Sequence, residues 1–408
     1  MPVTRIVVIN DASQARGGAT GLALLSVRLL RERGLDVSYI CGDDGDNDDL
    51  RALGVTVIAA GSAGLRQRGR ADAMIRGLHN IATRDLVAGY VREHDTPGTV
   101  YHVHGWAQIL SPSIFRALAP VAARTFIHAH DMFLACPNGV FMDYRRNQVC
   151  QRTPLSASCI VTNCDKRSYA QKIWRLARQK SLFSSFDRTL PWAGILLIHP
   201  AMQERLARAG YGADMFRIVR NPSAPYSATR IRAEDNRDIV YVGRLERDKG
   251  ALDIAEAAAR AGMALTLVGD GPLRGVLEAK YPDFRITGWQ PREAVGGFVG
   301  AARVLVMPSH HPEPFALVIP EAVQAGLPVI VSDTALMAAE ITECGMGLSV
   351  NIFDPSALDD AIATLRDMPD KDLREMSQRG FSNQANLSMT PETWADRLID
   401  LYRGALKT

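Results

Sequence analysis

The chain has 408 residues, 47% hydrophobic and 22% charged, an ordinary soluble composition and long enough for two domains. No apolar run approaches the roughly 18 residues that cross a bilayer, and the apolar run in MPVTRIVVIND is too short for a signal peptide, so a cytoplasmic protein is expected. The net charge of +3 hides an asymmetry: up to Arg220 there are 28 Lys/Arg against 18 Asp/Glu, and beyond it 19 against 26.

Arg5 to Ile9 reads as a strand that turns at Asn10-Asp11 into a loop ending Gly17-Gly18-Ala19-Thr20-Gly21, before a helix to about Arg33. Gly34 stops that helix and Val37 to Cys41 is the next strand, the opening of a doubly wound α/β domain. Glycines at a helix mouth let a phosphate approach free backbone N–H groups, or else serve only a tight turn; the spacing is not the dinucleotide fingerprint. GDDGDNDD after Cys41 lacks the closing glutamate of a calcium loop and reads as a solvated acidic turn. A basic segment runs from Arg66 to Arg76.

Val100 to His104 and Thr125 to His130 are further strands, and His130-Asp131 stands where doubly wound sheets bind ligands, just past a strand's carboxyl end. Cys136, Cys150, Cys159 and Cys164 follow. Four thiolates suit a tetrahedral structural zinc, although none of the gaps is CxxC, and free buried thiols are the other reading. The insert, about 136–180, is basic and ends in KRSYAQKIWRLARQK, where Ala170, Ile173, Trp174 and Ala177 make an apolar stripe flanked by Lys166, Lys172, Arg175 and Arg178. That pattern suits a membrane surface or an anionic acceptor, or a helix packed on its own domain. Gly194 to His199 is a strand, followed by a helix to Arg208 and a short strand over Ile218 to Arg220. The polar stretch 223–237 reads as a linker.

The second half repeats the plan. A strand over Ile239 to Val242 leads into Gly243-Arg244-Leu245-Glu246-Arg247-Asp248-Lys249-Gly250 and a helix to Arg260. Arg244 and Lys249 near a helix N-terminus could bracket a diphosphate. Strands follow over Leu265 to Val268, Arg285 to Gly288 and Val304 to Met307. Then comes SHHPEPFALVIPEAVQAGLPVIVSD from Ser309 to Asp333, in which two prolines fix the backbone around Glu313 and Glu321 lies in the first turn of a helix closed at Gly326. A helix with Glu340, the strand Gly347 to Val350, a helix from Pro355 to Met368 and a last helix from Pro391 complete the chain.

Gly17-Gly18, His130-Asp131, Gly243-Arg244-Leu245 with Lys249-Gly250, Glu313-Pro314-Phe315, Glu321-Ala322 and Gly326-Leu327-Pro328-Val329, in that order, resemble the family-4 glycosyltransferases. The resemblance implies the GT-B fold: two doubly wound Rossmann-like domains facing across a cleft, 1–222 on the acceptor side and 238–390 for the nucleotide-sugar, with 391–408 as a helix crossing back to the first. It also implies a retaining transfer, without a catalytic metal, from a UDP- or GDP-linked sugar to a hydroxyl of a glycan or lipid-linked acceptor, in polysaccharide or glycolipid assembly. In such enzymes Arg244, Lys249 and the Gly18 amide would meet the diphosphate. Glu313 and the amides of Phe315, Ala316 and Leu317 would meet the sugar or phosphate, Glu321 the ribose, and His130 the reacting carbon. Ala316, where a glycine is usual, and Thr334-Ala335-Leu336, in place of a glycine pair, depart from the pattern; so does the cysteine insert, which is expected to shape acceptor choice. The membrane's inner face is an expected partner and nucleic acid is not. The alternatives are a nucleic-acid-binding module with a structural zinc, which explains neither Glu313 nor Glu321, and a nicotinamide-dependent oxidoreductase, which lacks its fingerprint.

Overall fold

A computed structural model describes residues 1–15, 17–65, 67–382 and 386–407. The chain divides into two compact units, one of residues 1–146, 150–221 and 391–408, the other of 147–149 and 222–390. Arg66, the first residue of the basic segment, lies outside the described residues.

The first unit is built on seven parallel strands: β1 (Arg5–Asn10), β2 (Asp36–Cys41), β3 (Thr56–Ala59), β4 (Thr99–Val103), β5 (Thr125–Ala129), β6 (Gly194–Leu197) and β7 (Phe216–Ile218). Their order is β3-β2-β1-β4-β5-β6-β7, so the winding direction reverses between β1 and β4. Ile6 to Ile9 are 0% exposed because helices cover both faces, which is why this strand is a continuous apolar run rather than an alternation. The last helix, Pro391–Ala405, belongs to this unit and buries Trp394, Leu398 and Tyr402 in it. Arg33 fastens its start through Asp396 (2.9 Å) and the Glu392 carbonyl. The helices Arg70–Leu78 and Ile81–His94 and the strand Thr56–Ala59 do not announce themselves in the sequence. The first helix buries only Gly77, the second has a weak helical period, and the strand is only half buried.

The second unit has six parallel strands: β8 (Asp238–Val242), β9 (Leu265–Val268), β10 (Arg285–Gly288), β11 (Ala302–Met307), β12 (Val329–Ser332) and β13 (Gly347–Val350). Their order is β10-β9-β8-β11-β12-β13, and the reversal falls between β8 and β11. The polar stretch 223–237 is not a free tether. Tyr226 N donates to the Glu321 carbonyl (3.2 Å), Ile231 N to the Ala325 carbonyl (2.8 Å), and Arg230 pairs with buried Glu234 at 2.7 Å. Its charges are satisfied on the unit's own surface, which composition alone does not disclose.

Candidate functional site

In the second unit the loops leaving β8 and β11 stand at the point of reversal, where parallel sheets open a crevice beyond their carboxyl ends. The Gly243–Gly250 loop is laced to its neighbours: Gly243 N donates to the Val268 carbonyl, Leu245 N to the Asp270 carbonyl, and the Tyr241 hydroxyl to the Arg244 carbonyl (2.8 Å). Two glycines are needed there. Gly250 has φ 73° and any Cβ would strike the Pro308 carbonyl; Gly269 has φ 146° and its Cβ would strike the Gly243 carbonyl. Close backbone approach therefore brings the Lys249 ammonium onto the Glu313 carboxylate. Ser309 Oγ (3.0 Å) and His311 Nε2 (3.2 Å) also reach that carboxylate, and His311 lies 3.5 Å from Lys249 Nζ. Burial alone would raise the Glu313 pKa, but Lys249 and His311 outweigh it and hold the carboxylate well below its usual range. Glu313 is thus ionised and fixed. Arg244 is exposed and touches Glu246 at 2.5 Å, so its guanidinium is available to an anion at little cost.

Glu321, in the helix Val318–Gln324, accepts from Arg292 at 2.8 Å; burial raises its pKa against that cation. Among the described residues, the backbone N–H groups of Phe315, Ala316 and Leu317 have no protein acceptor. The Thr334–Leu336 turn is tied to the same loop, with Thr334 Oγ1 donating to the Ser309 carbonyl (3.1 Å) and Leu336 N to the Glu313 carbonyl (3.0 Å). The tie passes through a hydroxyl and an amide, with no glycine needed.

In the first unit, Gly18 opens the helix Gly18–Glu32 after β1. Asp11 accepts from the amides of Gln108, Ile109 and Leu110 at 2.7–2.9 Å, fixing the segment after β4 against the end of β1. His130 follows β5 and is not isolated. His128 and His130 stack at 4.3 Å and 8°, His104 Nδ1 lies 3.0 Å from His130 Nε2, His128 Nδ1 lies 3.2 Å from His102 Nε2, and His102 Nδ1 lies 2.6 Å from the Tyr402 hydroxyl. Burial pushes His130 down to about 3 and His102, His104 and His128 well below their usual value, so all four are neutral near pH 7. Ligand atoms of His102, His104 and His128 lie within 4.8 Å of one another. A metal is nonetheless a poor fit: both His102 nitrogens are engaged, and His102 and His128 stack at 13°, so their lone pairs do not converge.

The four clustered cysteines are all buried and line one small cavity. The helix that follows, Tyr169–Ser185, leaves most of its apolar stripe at the surface, the first of its two expected readings, with Trp174 half-buried. Ala170, Ile173 and Ala177 are exposed, while Lys172, Leu176, Gln179 and Leu182 are buried. Arg178, expected at the surface, is buried between the rings of Phe133 (4.7 Å) and Trp174 (5.2 Å). The buried face is set instead by Lys172, which finds sulfur partners inside. In GDDGDNDD, Asp43 accepts from Ser13 and Gly45, and Asn47 caps the helix Asp48–Ala52, the uses of an acidic turn.

Sequence reasoning gave no role to Ser309, His311, Arg292 or Asp11. The adjacency of His310-His311 to Glu313 was the available signal for His311; Arg292 and Asp11 act on partners 29 and about 98 residues away and left none.

Residues 236–367 match the family model described as "Glycosyl transferases group 1". A GDP-mannose-dependent alpha-mannosyltransferase of Mycolicibacterium smegmatis is 30% identical over 56% of the chain and 60% of its own length. The chain therefore spans about three-fifths of that relative. Sucrose-phosphate synthase from Thermosynechococcus elongatus superposes with a TM-score of 0.72 at 19% identity, covering 98% of both chains. Anabaena HepE in complex with UDP gives a TM-score of 0.66 at 14% identity, over 98% of this chain and 100% of its own.

Proposed function

We propose, from the premise that the chain has the GT-B fold and carries a group 1 glycosyltransferase domain over residues 236–367, that it moves a sugar from a nucleotide-sugar to a hydroxyl of a glycan or lipid-linked acceptor, with retention at the sugar carbon. The observation that carries this reading is the Lys249–Glu313 pair at the sheet's reversal point, with exposed Arg244 on the same loop as Lys249.

The donor's diphosphate gains negative charge as the sugar carbon–oxygen bond breaks. Arg244 and Lys249 meet that charge, and the unpaired amides of Phe315, Ala316 and Leu317 add N–H donors. Glu313, ionised, accepts from sugar hydroxyls and keeps Lys249 in place. Glu321 accepts from the ribose hydroxyls and shares its carboxylate with Arg292. In the retaining reading the acceptor oxygen bonds to the sugar carbon on the face the phosphate leaves, and the acceptor proton passes to the departing phosphate oxygen. No side-chain base is then required, and a neutral His130 is a positioning residue.

Both a UDP and a GDP donor have support: HepE binds UDP, and the mycobacterial relative uses GDP-mannose. A membrane-embedded acceptor is favoured by an exposed apolar patch of Ile160, Val161, Tyr169 and Ile173 with Met74 and Ile75 beside it, among exposed Arg70, Lys166, Arg167 and Lys180. Tyr169 Oη bonds the Ile160 carbonyl and Trp174 Nε1 the Met74 carbonyl, which makes the patch continuous.

The test is a thermal-shift screen with UDP, GDP and NAD, followed by turnover against a panel of nucleotide-sugars. Stabilisation by UDP or GDP is expected, and Lys249→Ala and Glu313→Ala should each lose turnover by at least about 100-fold while remaining folded. Stabilisation by NAD alone, or wild-type turnover in either variant, would refute the assignment.

A further inference from the structure

Residues 136–164 form a long excursion with little regular structure, and its shape is held by irregular contacts. Cys136 N donates to the Met132 carbonyl (2.7 Å), Cys150 N to the Phe141 carbonyl (2.6 Å), and Tyr144 N to the Cys164 carbonyl (3.4 Å). Phe141 (φ 51°) and Leu155 (φ 59°) sit in the left-handed region that side chains avoid, so something must hold the backbone there. Within the excursion a two-stranded ladder of Met142–Asp143 with Gln148–Val149, the short helix Ala157–Val161 and the buried side chains of Phe141 and Met142 supply part of that hold.

The charges inside it do not balance if the thiols are neutral. Buried Asp143 has Arg152 at 3.2 Å and buried Asp165 has Arg175 at 2.9 Å. Lys172 is left over, 1% exposed, and among the described residues its ammonium donates to sulfur alone: Cys164 Sγ at 3.1 Å and Cys159 Sγ at 3.5 Å. Two other donors also point at sulfur, Arg152 Nη1 at Cys150 (3.7 Å) and Asn138 Nδ2 at Cys164 (3.8 Å). Neutral thiols are weak acceptors and offer a buried ammonium no counter-charge. A metal tetrathiolate is doubly negative, and N–H donors directed at its sulfurs are the usual outer shell of such a site.

We propose that Cys136, Cys150, Cys159 and Cys164 bind one structural zinc ion, with Lys172 as the counter-cation in its outer shell. All four cysteines line the same small cavity, of about 10 Å³. The sulfurs stand farther apart than zinc-bound thiolates do, since among the described residues no three cysteines have all their ligand atoms within the 4.8 Å that joins the histidines. Binding therefore requires them to turn inward to about 2.3 Å from the metal, releasing the thiol protons. The excursion is rooted at Met132, next to His130-Asp131, so the ion would brace the segment that leaves β5.

The proposal is tested on the full chain, purified without chelator, by metal analysis and by cobalt substitution. About one zinc per chain is expected, and cobalt should give thiolate-to-metal charge-transfer absorption with the visible bands of a tetrahedral site. Cys159→Ser and Cys164→Ser should each lose the metal. Cys41→Ser, whose thiol faces the Ile58 carbonyl and not this cavity, should retain it. If the set variants fail to fold, the cobalt spectrum of the wild-type chain still decides. Zinc near zero in chain grown with added zinc, iron–sulfur absorption, or a mass showing the four cysteines joined as disulfides would each overturn it.

Discussion

Four histidines kept neutral in one unit make its stability depend on pH in a window where few other groups titrate. In the unfolded chain each binds a proton as the pH falls through about 6.5, whereas His130 waits until about 3 and His102, His104 and His128 lie well below their usual value. Between those limits the unfolded state holds more protons, so stability is present above about pH 6.5 and is lost as the pH falls. Each such histidine contributes roughly 1.4 kcal/mol per pH unit, so four give a limiting slope of about 5 kcal/mol per unit. Burial raises the carboxyl of Asp11, which takes up a proton in the folded state and offsets part of this slope, leaving roughly 3 to 4 kcal/mol per unit. Against a typical stability whose lower end is about 5 kcal/mol, the first unit should begin to open near about pH 4.5 to 5. Urea unfolding at pH 7.5, 6.5 and 5.5 would measure this by tryptophan fluorescence, because Trp106, Trp174, Trp192 and Trp394 are in the first unit and only Trp289 is in the second. His128→Phe should remove about a quarter of the histidine contribution, which separates the effect from any loss of metal. A stability unchanged from pH 7.5 to 5.5 would refute the reasoning.

Gly269→Ala should destabilise the second unit by at least about 2 kcal/mol and weaken nucleotide binding, because its Cβ collides with the Gly243 carbonyl at the start of the Arg244 loop. Gly262→Ala, also at positive φ but in open space, should cost only about 1 kcal/mol, and equal losses in chemical denaturation would sink the argument from collision. Flotation with vesicles of anionic phospholipid should recover the chain at low salt, and Val161→Glu with Ile173→Glu should release it. Flotation unchanged by that pair would remove the patch from the account.

Much of the second unit was legible because its signals are local. Glu313 and its flanking prolines, Arg244, Lys249 and Gly250 lie on short loops between continuous apolar strands, and parallel buried strands leave such runs. The surface of the first unit was less legible. The helix Tyr169–Ser185 turned a lysine and an arginine inward, and an apolar stripe is the right guide to a buried face only when the polar residues have no partner inside.

The sequence by itself determined the two strand-and-helix halves, the glycines where loops leave the sheets, and the residue types a diphosphate requires, since each is set by neighbours a few positions away. Only the tertiary structure decided that Glu313 stays ionised, that His130 is one of four stacked neutral imidazoles, and that Lys172 lies buried among cysteines. Each of those depends on groups brought together from distant parts of the chain. Their protonation follows from what burial costs and which partner offsets it, neither of which a local pattern encodes.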